Sequence, residues 1–393
     1  MSNNNYNSWP SFTQEEVDAV SNVLLSNKVN YWTGEQGKKF EKEFAKWCKV
    51  KYAVAVANGT TSLDLALKAL GIGKGDEVIV TPRSFIASVS CVANAGATPI
   101  FADVDLNTGN ISAKNIKPKI SNKTKAIICV HLAGYPCDMD DILQLAKDND
   151  LCVIEDCAQS HGAKYKGKLV GSIGDIGCYS FCQDKIMTTG GEGGMVVTSN
   201  EELWRKIWSY KDHGKNYKSV YDVKHPPGFR WLHDSFGTNW RMTEMQAAIG
   251  RIQLRRMGSW HQKRKDNAQA ILKVCAEFTN TIRVSEIGYD IEHAWYKLNV
   301  YVCLEGLKDG WNRDRIRNEI NQLGIPCYSG SCSEIYLEKA FDVKFRPQER
   351  LPNAKKLGEN TIEFLVHPTL SSSDIENTCE AIRSVMRLAS RSL

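Results

Sequence analysis

Short apolar runs alternate with longer amphipathic segments through the first two thirds of the chain. The runs lie at residues 53–56, 78–81, 99–104, 126–130 and 152–155. Runs of this length that end at glycine or polar residues predict strands buried on both faces of a parallel sheet. The intervening segments repeat apolar residues at helical spacing, which predicts helices on both faces of that sheet. The pattern therefore predicts a layered α/β fold in which parallel strands dominate.

The hydrophobic pattern changes near residue 252, where a long helical periodicity begins. Beyond this point, residues 298–303 predict a strand and residues 373–388 predict a final helix. We therefore predict a large domain over residues 1–251, which includes the N-terminal segment, and a smaller C-terminal α/β domain over residues 252–393.

Candidate chemistry is concentrated after the run at 152–155, which ends in Glu155 and Asp156. Ligands of open α/β sheets bind at the carboxyl ends of such strands. Lys185 follows, and then a glycine cluster at residues 190–194 that would let the backbone approach a ligand closely. A pyridine ring acts as an electron sink only while a carboxylate keeps its nitrogen protonated, and its aldehyde needs a lysine as Schiff-base partner. Although an ordinary strand end and a surface lysine are the alternative, the combination predicts a pyridoxal 5'-phosphate site built on Asp156 and Lys185.

A possible phosphate site precedes this block. Residues 52–57 predict a strand, Gly59 interrupts it, and Thr60 or Thr61 can cap a helix that ends at Gly71. A helix N-terminus offers free N–H groups and a positive dipole end to an anion. The alternative is an ordinary capped helix, but the signals at Asp156 and Lys185 favour a phosphate site.

Several motifs together resemble one family. They lie at residues 58–63, 75–82, 155–159, 161–163, 171–175, 180–185, 191–194 and 237–242. On these motifs the chain resembles the sugar aminotransferases, fold-type-I pyridoxal phosphate enzymes that aminate nucleotide-linked keto sugars for bacterial surface polysaccharides and antibiotics. The similarity extends from about residue 30 to at least residue 254 and weakly beyond. It implies a mostly parallel central sheet with helices on both faces, plus the smaller C-terminal α/β domain.

The resemblance assigns roles to further residues. Phe85 would stack on the cofactor ring, Gln159 would contact the ring oxygen, and Ser180 would bind the phosphate together with Gly59 and the two threonines. Asn239 would reach the phosphate of the neighbouring subunit, which implies a homodimer with shared active sites. Substrate contacts are expected from a set that could equally be structural or surface residues: Arg83, His161, Glu192 and His213.

The implied reaction transfers an amino group from L-glutamate to a nucleotide-linked keto sugar, preferably a 4-keto-6-deoxyhexose, in lipopolysaccharide or O-antigen biosynthesis. Four alternatives stay open: amination of a 3-keto sugar, a sugar dehydratase, a non-catalytic cofactor-binding regulator, and a catalytically idle oligomeric scaffold. Related dehydratases carry histidine where this chain has Lys185, and such regulators generally add a DNA-binding module. The pair Gln183 and Asp184 before the lysine is not the commonest one in the family.

Composition limits the cellular compartment and the classes of binding partner that we expect for this chain. The 393 residues are 42% hydrophobic, and 50 basic against 45 acidic side chains leave a net charge of only +5, far from the basic footprint of a nucleic-acid binder. The 13 cysteines form neither a C-x-x-C pair nor a zinc-ligand spacing, so we expect reduced thiols and no metal. Apolar stretches are too short to span a membrane, and the N-terminus lacks the pattern of a signal peptide. We therefore expect a cytoplasmic protein with neither nucleic-acid nor membrane partners.

Overall fold

The structure is a computed structural model, in which residues 6–342 and 345–391 are described. The strands are β1 (Tyr52–Val56), β2 (Glu77–Val80), β3 (Thr98–Phe101), β4 (Thr124–Val130), β5 (Cys152–Asp156), β6 (Lys164–Tyr165), β7 (Lys168–Leu169), β8 (Ile176–Ser180), β9 (Gly194–Thr198), β10 (Ile282–Val284), β11 (Ile291–Glu292), β12 (Leu298–Val302), β13 (Cys327–Tyr328) and β14 (Thr361–Phe364). The α-helices are α1 (Gln14–Leu25), α2 (Gln36–Cys48), α3 (Gly59–Ala69), α4 (Ala87–Asn94), α5 (Ala113–Ile116), α6 (Met139–Asp148), α7 (Glu201–Lys211), α8 (Tyr217–Tyr221), α9 (Glu244–Cys275), α10 (Arg313–Gln322), α11 (Pro352–Asn360) and α12 (Ser372–Ala389). The outermost residues of the predicted domains, 1–5 and 392–393, lie outside the described residues.

The largest sheet has the strand order β1-β9-β8-β5-β4-β2-β3. Strands β8, β5, β4, β2 and β3 pair in parallel, whereas β9 is antiparallel to both of its neighbours. The predicted mostly parallel sheet is therefore confirmed, and the five apolar runs correspond to β1 to β5. The third strand is shorter than predicted because residue Val104 leaves the sheet and forms an isolated bridge to Ile111. Strands β8 and β9, buried at every position, were not among the predicted runs.

Alternate residues of β1 enter two different apolar clusters, so both faces of the sheet are covered. Val54 and Val56 pack in the cluster that contains Leu63 of α3. Ala53 and Ala55 pack in the cluster that contains Phe40 of α2. Successive side chains of a strand point to opposite faces. Helices α2 and α3 therefore lie on opposite faces, and the predicted three-layer arrangement is confirmed.

A second sheet lies in the C-terminal part of the chain, with order β10-β12-β14-β13 and antiparallel pairing throughout. It packs with α10 and α12 around its own apolar cluster, which includes Val300, Ile316 and Ile382. The strand predicted at 298–303 and the helix predicted at 373–388 are thus confirmed as β12 and α12. A three-stranded ribbon of order β11-β6-β7 joins this part to the loop after β5.

Helix α9 begins earlier than predicted, at Glu244 instead of near residue 252. Thr243 and Gln246 form a capping box, in which the Gln246 side chain accepts a hydrogen bond from the Thr243 amide (2.9 Å). The helix contributes Leu254 to one cluster of the large sheet and Ile271 to the C-terminal cluster. The predicted boundary between residues 251 and 252 falls inside α9, and the division into two domains stays a prediction. Among the helices of residues 6–342 and 345–391, none combines the length and apolar character that a membrane crossing requires.

Candidate active site

A cavity of about 520 Å³ lies at the carboxyl ends of β4, β5 and β8 and at the start of α3. It joins segments that are far apart in sequence. The predicted site residues that line it are Gly59, Thr60, Thr61, Phe85, Asp156, Gln159, Ser180, Lys185 and Glu192. Most of the predicted cofactor site is therefore assembled in one place, at the sheet edge where the strand pattern placed it.

Asp156 is the last residue of β5, and its side chain is only 4% exposed. One carboxylate oxygen accepts a hydrogen bond from the Ser88 hydroxyl (2.7 Å), and the other accepts one from the Ala158 amide (3.1 Å). Burial raises the pKa of Asp156, although these two hydrogen bonds oppose the shift. Within the described part of the chain no cation forms a salt bridge with it. A protonated pyridine nitrogen would supply the missing positive charge, so the environment of Asp156 fits the cofactor ring.

The start of α3 also lines the cavity. The helix begins at Gly59, and Asn58 is its N-cap, accepting a hydrogen bond from the Thr61 amide through Oδ1 (2.9 Å). The predicted cap at Thr60 or Thr61 was therefore wrong: the Thr61 hydroxyl completes a capping box by accepting a hydrogen bond from the Asn58 amide (3.3 Å), and it donates to the Asn58 carbonyl (2.8 Å). A Cβ atom on Gly59 would lie 2.5 Å from the Cβ of Ser180. Only glycine therefore allows Ser180 to lie beside the free N–H groups of the first turn, an arrangement suited to a phosphate.

Lys185 lies in the loop between β8 and β9 with its backbone fixed on both sides. Its amide donates to the Cys182 carbonyl (3.1 Å), and its carbonyl accepts from the Trp9 indole N–H (2.8 Å). The ammonium lies 3.6 Å from Oδ1 of Asp184 and 5.2 Å from the centre of the Tyr296 ring. The side chain is mostly buried. The amine is thus presented to the cavity from a rigid backbone, as a catalytic lysine requires.

Phe85 and Gln159 lie along the part of the cavity that would hold the ring. Phe85 is 66% exposed and lines the cavity, so a planar ligand placed on it would cover an apolar face that now contacts solvent. The Gln159 side-chain oxygen accepts a hydrogen bond from the Ala133 amide (2.7 Å). This bond leaves the side-chain NH₂ group of Gln159 as a donor for a ring oxygen. Both positions fit the roles that the family resemblance implies.

Two predicted substrate residues lie in the protein interior, and neither is among the residues that line the cavity. Arg83 is 1% exposed, and its guanidinium donates to the Thr361 hydroxyl (2.9 Å). His161 is fully buried, with its ring 5.4 Å from that of Tyr179 and 5.7 Å from that of Phe181. Burial lowers the pKa of His161 to about 3, so the ring is neutral. Their predicted substrate contacts would need a rearrangement of the interior, and these roles stay predictions.

The other predicted residues are exposed. Glu192 lies at the rim of the cavity, and His213 lies in a loop where its amide donates to the Thr238 carbonyl (2.9 Å). Asn239 pairs with Asp212 in an isolated bridge and is not among the residues that line the cavity of its own chain. Its predicted role concerns the neighbouring subunit, and both this role and the substrate contacts stay predictions.

Sequence reasoning missed Ser88, Trp9 and Tyr296 and gave Asp184 no role. The hydroxyls of Ser84 and Ser88 are hydrogen-bonded (2.8 Å), but Ser84 precedes α4, so helical spacing does not signal this contact. Trp9 and Tyr296 contact the lysine loop across long stretches of sequence. No local pattern points to such contacts.

The described residues contain one group spaced for a metal ion: His131, Glu155 and Cys157, all buried. The Glu155 carboxylate already accepts hydrogen bonds from the His131 ring (3.0 Å) and from the amides of Gly171 (2.8 Å) and Ile173 (2.8 Å). These bonds hold the end of β5 against the following loop. We therefore interpret the group as structural support for Asp156.

The fold and the cavity together define the class: the protein is a fold-type-I, pyridoxal-phosphate-dependent aminotransferase. More specifically, the chain belongs to the DegT/DnrJ/EryC1/StrS aminotransferase family, whose model matches residues 10–383. The resemblance seen in the motifs is thereby confirmed over nearly the whole chain. Lys185, Asp156 and the start of α3 would hold the cofactor in this site.

Known proteins similar to this chain are consistent with that class. GDP-perosamine synthase of Escherichia coli O157:H7 is 38% identical over 381 residues, covering 95% of this chain and 96% of that protein. A UDP-N-acetyl-3-dehydro-alpha-D-glucosamine 3-aminotransferase of Acidithiobacillus ferrooxidans is 35% identical, covering 95% and 94%. Among solved structures, an aminotransferase from Psychrobacter cryohalolentis is 61% identical with a TM-score of 0.96, covering 97% and 99%. A putative sugar aminotransferase from Streptococcus pneumoniae, solved in its PLP form, is 26% identical with a TM-score of 0.84, covering 96% and 97%.

Proposed function

We propose that the protein transfers the amino group of L-glutamate to a nucleotide-linked keto sugar in the biosynthesis of a surface polysaccharide. The acceptor we favour is a 4-keto-6-deoxyhexose. The observation that carries the proposal is the single cavity that contains Lys185, Asp156 and the N-terminus of α3. Similarity to an enzyme named GDP-perosamine synthase supports the sugar-nucleotide class of acceptor.

Different residues of the cavity perform different parts of the proposed reaction. Bound pyridoxal phosphate supplies an electron sink for the bonds of the amino-bearing carbon. Asp156 holds the ring nitrogen protonated, and the first turn of α3 with Ser180 holds the phosphate. Lys185 takes the proton from the α-carbon of the donor, and in the second half of the reaction it delivers a proton to the sugar carbon that receives nitrogen. The same side chain thus serves as base and as acid.

The test is a visible-absorbance titration of the cofactor-loaded protein. L-glutamate should remove the absorbance band, and after removal of the donor one member of a keto-sugar panel should restore it. The panel should combine 4-keto and 3-keto sugars with guanosine, thymidine and uridine diphosphates. Restoration by a 4-keto sugar supports the proposal, whereas restoration only by a 3-keto sugar would replace the acceptor with the one suggested by the relative named as a 3-aminotransferase.

No response to glutamate would contradict the proposed donor. Other amino acids should then be tried before the sugars. A dehydratase is the competing activity, and it would release water from the sugar and leave no nitrogen on the product. The presence of Lys185 in the cavity favours amino transfer.

We also propose that the active unit is a homodimer in which Asn239 completes the neighbouring site. Support comes from a segment near Asn239 with large exposed apolar side chains: Phe229, Trp231 and Phe236. Contiguous apolar side chains exposed to this degree are typical of an interface. Mixing a Lys185→Ala chain with an Asn239→Ala chain should restore part of the activity, because one of the two hybrid sites is intact. Absence of complementation in mixed dimers would contradict a shared site.

We place the protein in the cytoplasm. All 13 cysteines are free thiols, and most are buried in apolar clusters, which is typical of a reducing compartment. Fractionation of cells that express the native chain is the direct measurement.

A further inference from the structure

A second carboxylate, besides Asp156, lines the cavity and lies beside Lys185. Oδ1 of Asp184 is 3.6 Å from the Lys185 ammonium, and Oδ2 accepts a hydrogen bond from the Tyr296 hydroxyl. Asp184 also lines a neighbouring cavity of about 290 Å³, so it stands between the two spaces. Asp184 is therefore the carboxylate that pairs with the lysine, and Asp156 is left for the ring.

Tyr296 is a fixed partner for Asp184. Its ring is buried, and its amide donates to the Ala133 carbonyl (3.1 Å), in the same segment that fixes Gln159. Burial, with Asp184 nearby, raises the pKa of Tyr296 well above its ordinary value, so the hydroxyl keeps its proton and donates. Partial burial opposes ionisation of Asp184, but the Lys185 charge and the Tyr296 hydroxyl outweigh it and lower the pKa of Asp184. Asp184 is thus an ionised carboxylate anchored on one oxygen.

We propose that Asp184, anchored by Tyr296, is a positioning residue that holds the Lys185 ammonium whenever the lysine is free of the cofactor. The role in turnover rests on the proposed function, but the contact itself does not. A lysine that must leave and return in each reaction cycle has four rotatable bonds, and its freedom slows the return. Contact with a fixed carboxylate keeps the amine close to Tyr296 and limits the positions that it can take. The half-exposed position of Asp184 limits the strength of the pair, and the Tyr296 anchor distinguishes it from an accidental surface contact.

Other titratable groups also face Lys185 in the described residues. They are Asp156, Cys182, Glu192, His161, Lys297 and Glu363. Asp156 is held by hydrogen bonds from Ser88 and the Ala158 amide, and buried His161 is neutral. Lys297 and Glu363 have opposite charges and partly cancel at Lys185. Asp184 is therefore the group whose removal should change the Lys185 amine most.

The test compares Asp184→Asn with the unaltered protein in the cofactor-free state. Trace acylation of Lys185, quantified by peptide mass spectrometry as a function of pH, reports the pKa of the amine without any turnover. Loss of the adjacent negative charge should lower the pH at which the amine becomes reactive, since an opposite charge at this distance favours the charged amine. In the cofactor-loaded protein, the pH midpoint of the visible band should move in the same direction.

Three further variants sharpen the test. Tyr296→Phe should give a smaller shift of the same sign, because Asp184 keeps its charge but loses its anchor. Asp184→Glu should recover part of the change. Asp148→Asn, on the exposed end of α6, is the matched control and should leave the Lys185 pKa unchanged.

This test of Asp184 can succeed or fail independently of the test of the proposed function. An unchanged or raised Lys185 pKa in Asp184→Asn, with normal thermal unfolding, would overturn the inference even if the enzyme aminates the expected sugar. If the pKa falls, the inference stands even if glutamate proves to be the wrong donor. In turnover, kcat should fall a few-fold while KM for the acceptor stays constant, because the effect is on the lysine and not on sugar binding.

Discussion

Two aspartates line the active-site cavity, and their surroundings differ. Asp156 ends a buried strand, is 4% exposed and is held by Ser88 and the Ala158 amide. Asp184 lies in a loop, its side chain is 58% exposed, and it contacts Lys185 and Tyr296. Asp156 therefore lies in a rigid interior, whereas Asp184 lies beside a flexible catalytic side chain.

The two environments shift the two carboxyl groups in opposite directions. Burial raises the pKa of Asp156, whereas Lys185 and Tyr296 outweigh partial burial and lower the pKa of Asp184. A buried carboxylate without a cation is costly until a ligand brings the positive charge. Asp156 therefore depends on the cofactor for its partner, and Asp184 already has one in the protein.

Lys185→Ala should have the largest effect on amino transfer, because it removes the amine that takes up and delivers the proton. Amino transfer should fall by at least about 10³-fold, while some cofactor binding persists through Asp156 and the start of α3. Single-turnover absorbance with glutamate measures the first property, and equilibrium dialysis measures the second. Lys166→Ala in the exposed β6–β7 turn is the control, and retained turnover by Lys185→Ala would refute the assignment.

Asp156→Asn tests whether the two aspartates have different roles in amino transfer. Without its carboxylate the ring nitrogen loses its proton, and transfer should fall by roughly 10²–10⁴-fold, the range for loss of a catalytic acid or base. Asp184→Asn should cost only a few-fold. Parallel kcat/KM measurements on the two variants test this order. A larger loss of kcat/KM in Asp184→Asn than in Asp156→Asn would mean that the roles assigned to the two aspartates must be exchanged.

The contrast also explains what the sequence could predict. Asp156 follows an apolar run, so its place at the sheet edge follows from the strand pattern, and Gly59 is part of a local strand-to-helix signal. Lys185 was identified by its position between motifs. These features are local, and a local pattern of burial and backbone preference determines them.

The surroundings of Asp184 are not local. Tyr296 reaches Asp184 across 112 residues of sequence, and Trp9 reaches the Lys185 carbonyl across 176. These contacts depend on how the C-terminal part and the N-terminal segment pack against the large sheet. Even the cap of α3 was misplaced, because Asn58 and Thr61 can each supply an oxygen and only the backbone geometry decides between them.

The start of α3 is the part of the cavity that we propose binds the cofactor phosphate. In Gly59→Ala the new Cβ would lie 2.5 Å from the Cβ of Ser180, so the helix start or Ser180 must move. Overpacking of this kind costs about 1–3 kcal/mol, and we expect cofactor affinity to fall about tenfold or more. Gly73→Ala is the matched control, since its Cβ would meet only the Ala95 carbonyl at 3.5 Å. Equal cofactor dissociation constants for the two variants would show that the helix start does not hold the phosphate.

Ser88→Ala should have the smallest effect, and it acts only on Asp156. Burial raises the pKa of that carboxyl group above its ordinary value, and the Ser88 hydroxyl lowers it. Cofactor binding to a protonated ring needs Asp156 ionised, so the affinity is complete above its pKa and is lost as the pH falls through it. Loss of the Ser88 hydrogen bond raises the pKa further, and the acidic loss of affinity should begin about one pH unit higher.

The measurement for Ser88→Ala is the cofactor dissociation constant as a function of pH. Ser84→Ala is the control, because the Ser84 hydroxyl contacts Ser88 (2.8 Å) but makes no hydrogen bond to Asp156. A shift of the acidic loss to lower pH would mean that Asp156 binds the cofactor in its protonated form. Asp184→Asn should leave the loss of cofactor affinity at low pH unchanged, because the Asp184 carboxylate contacts Lys185 and Tyr296.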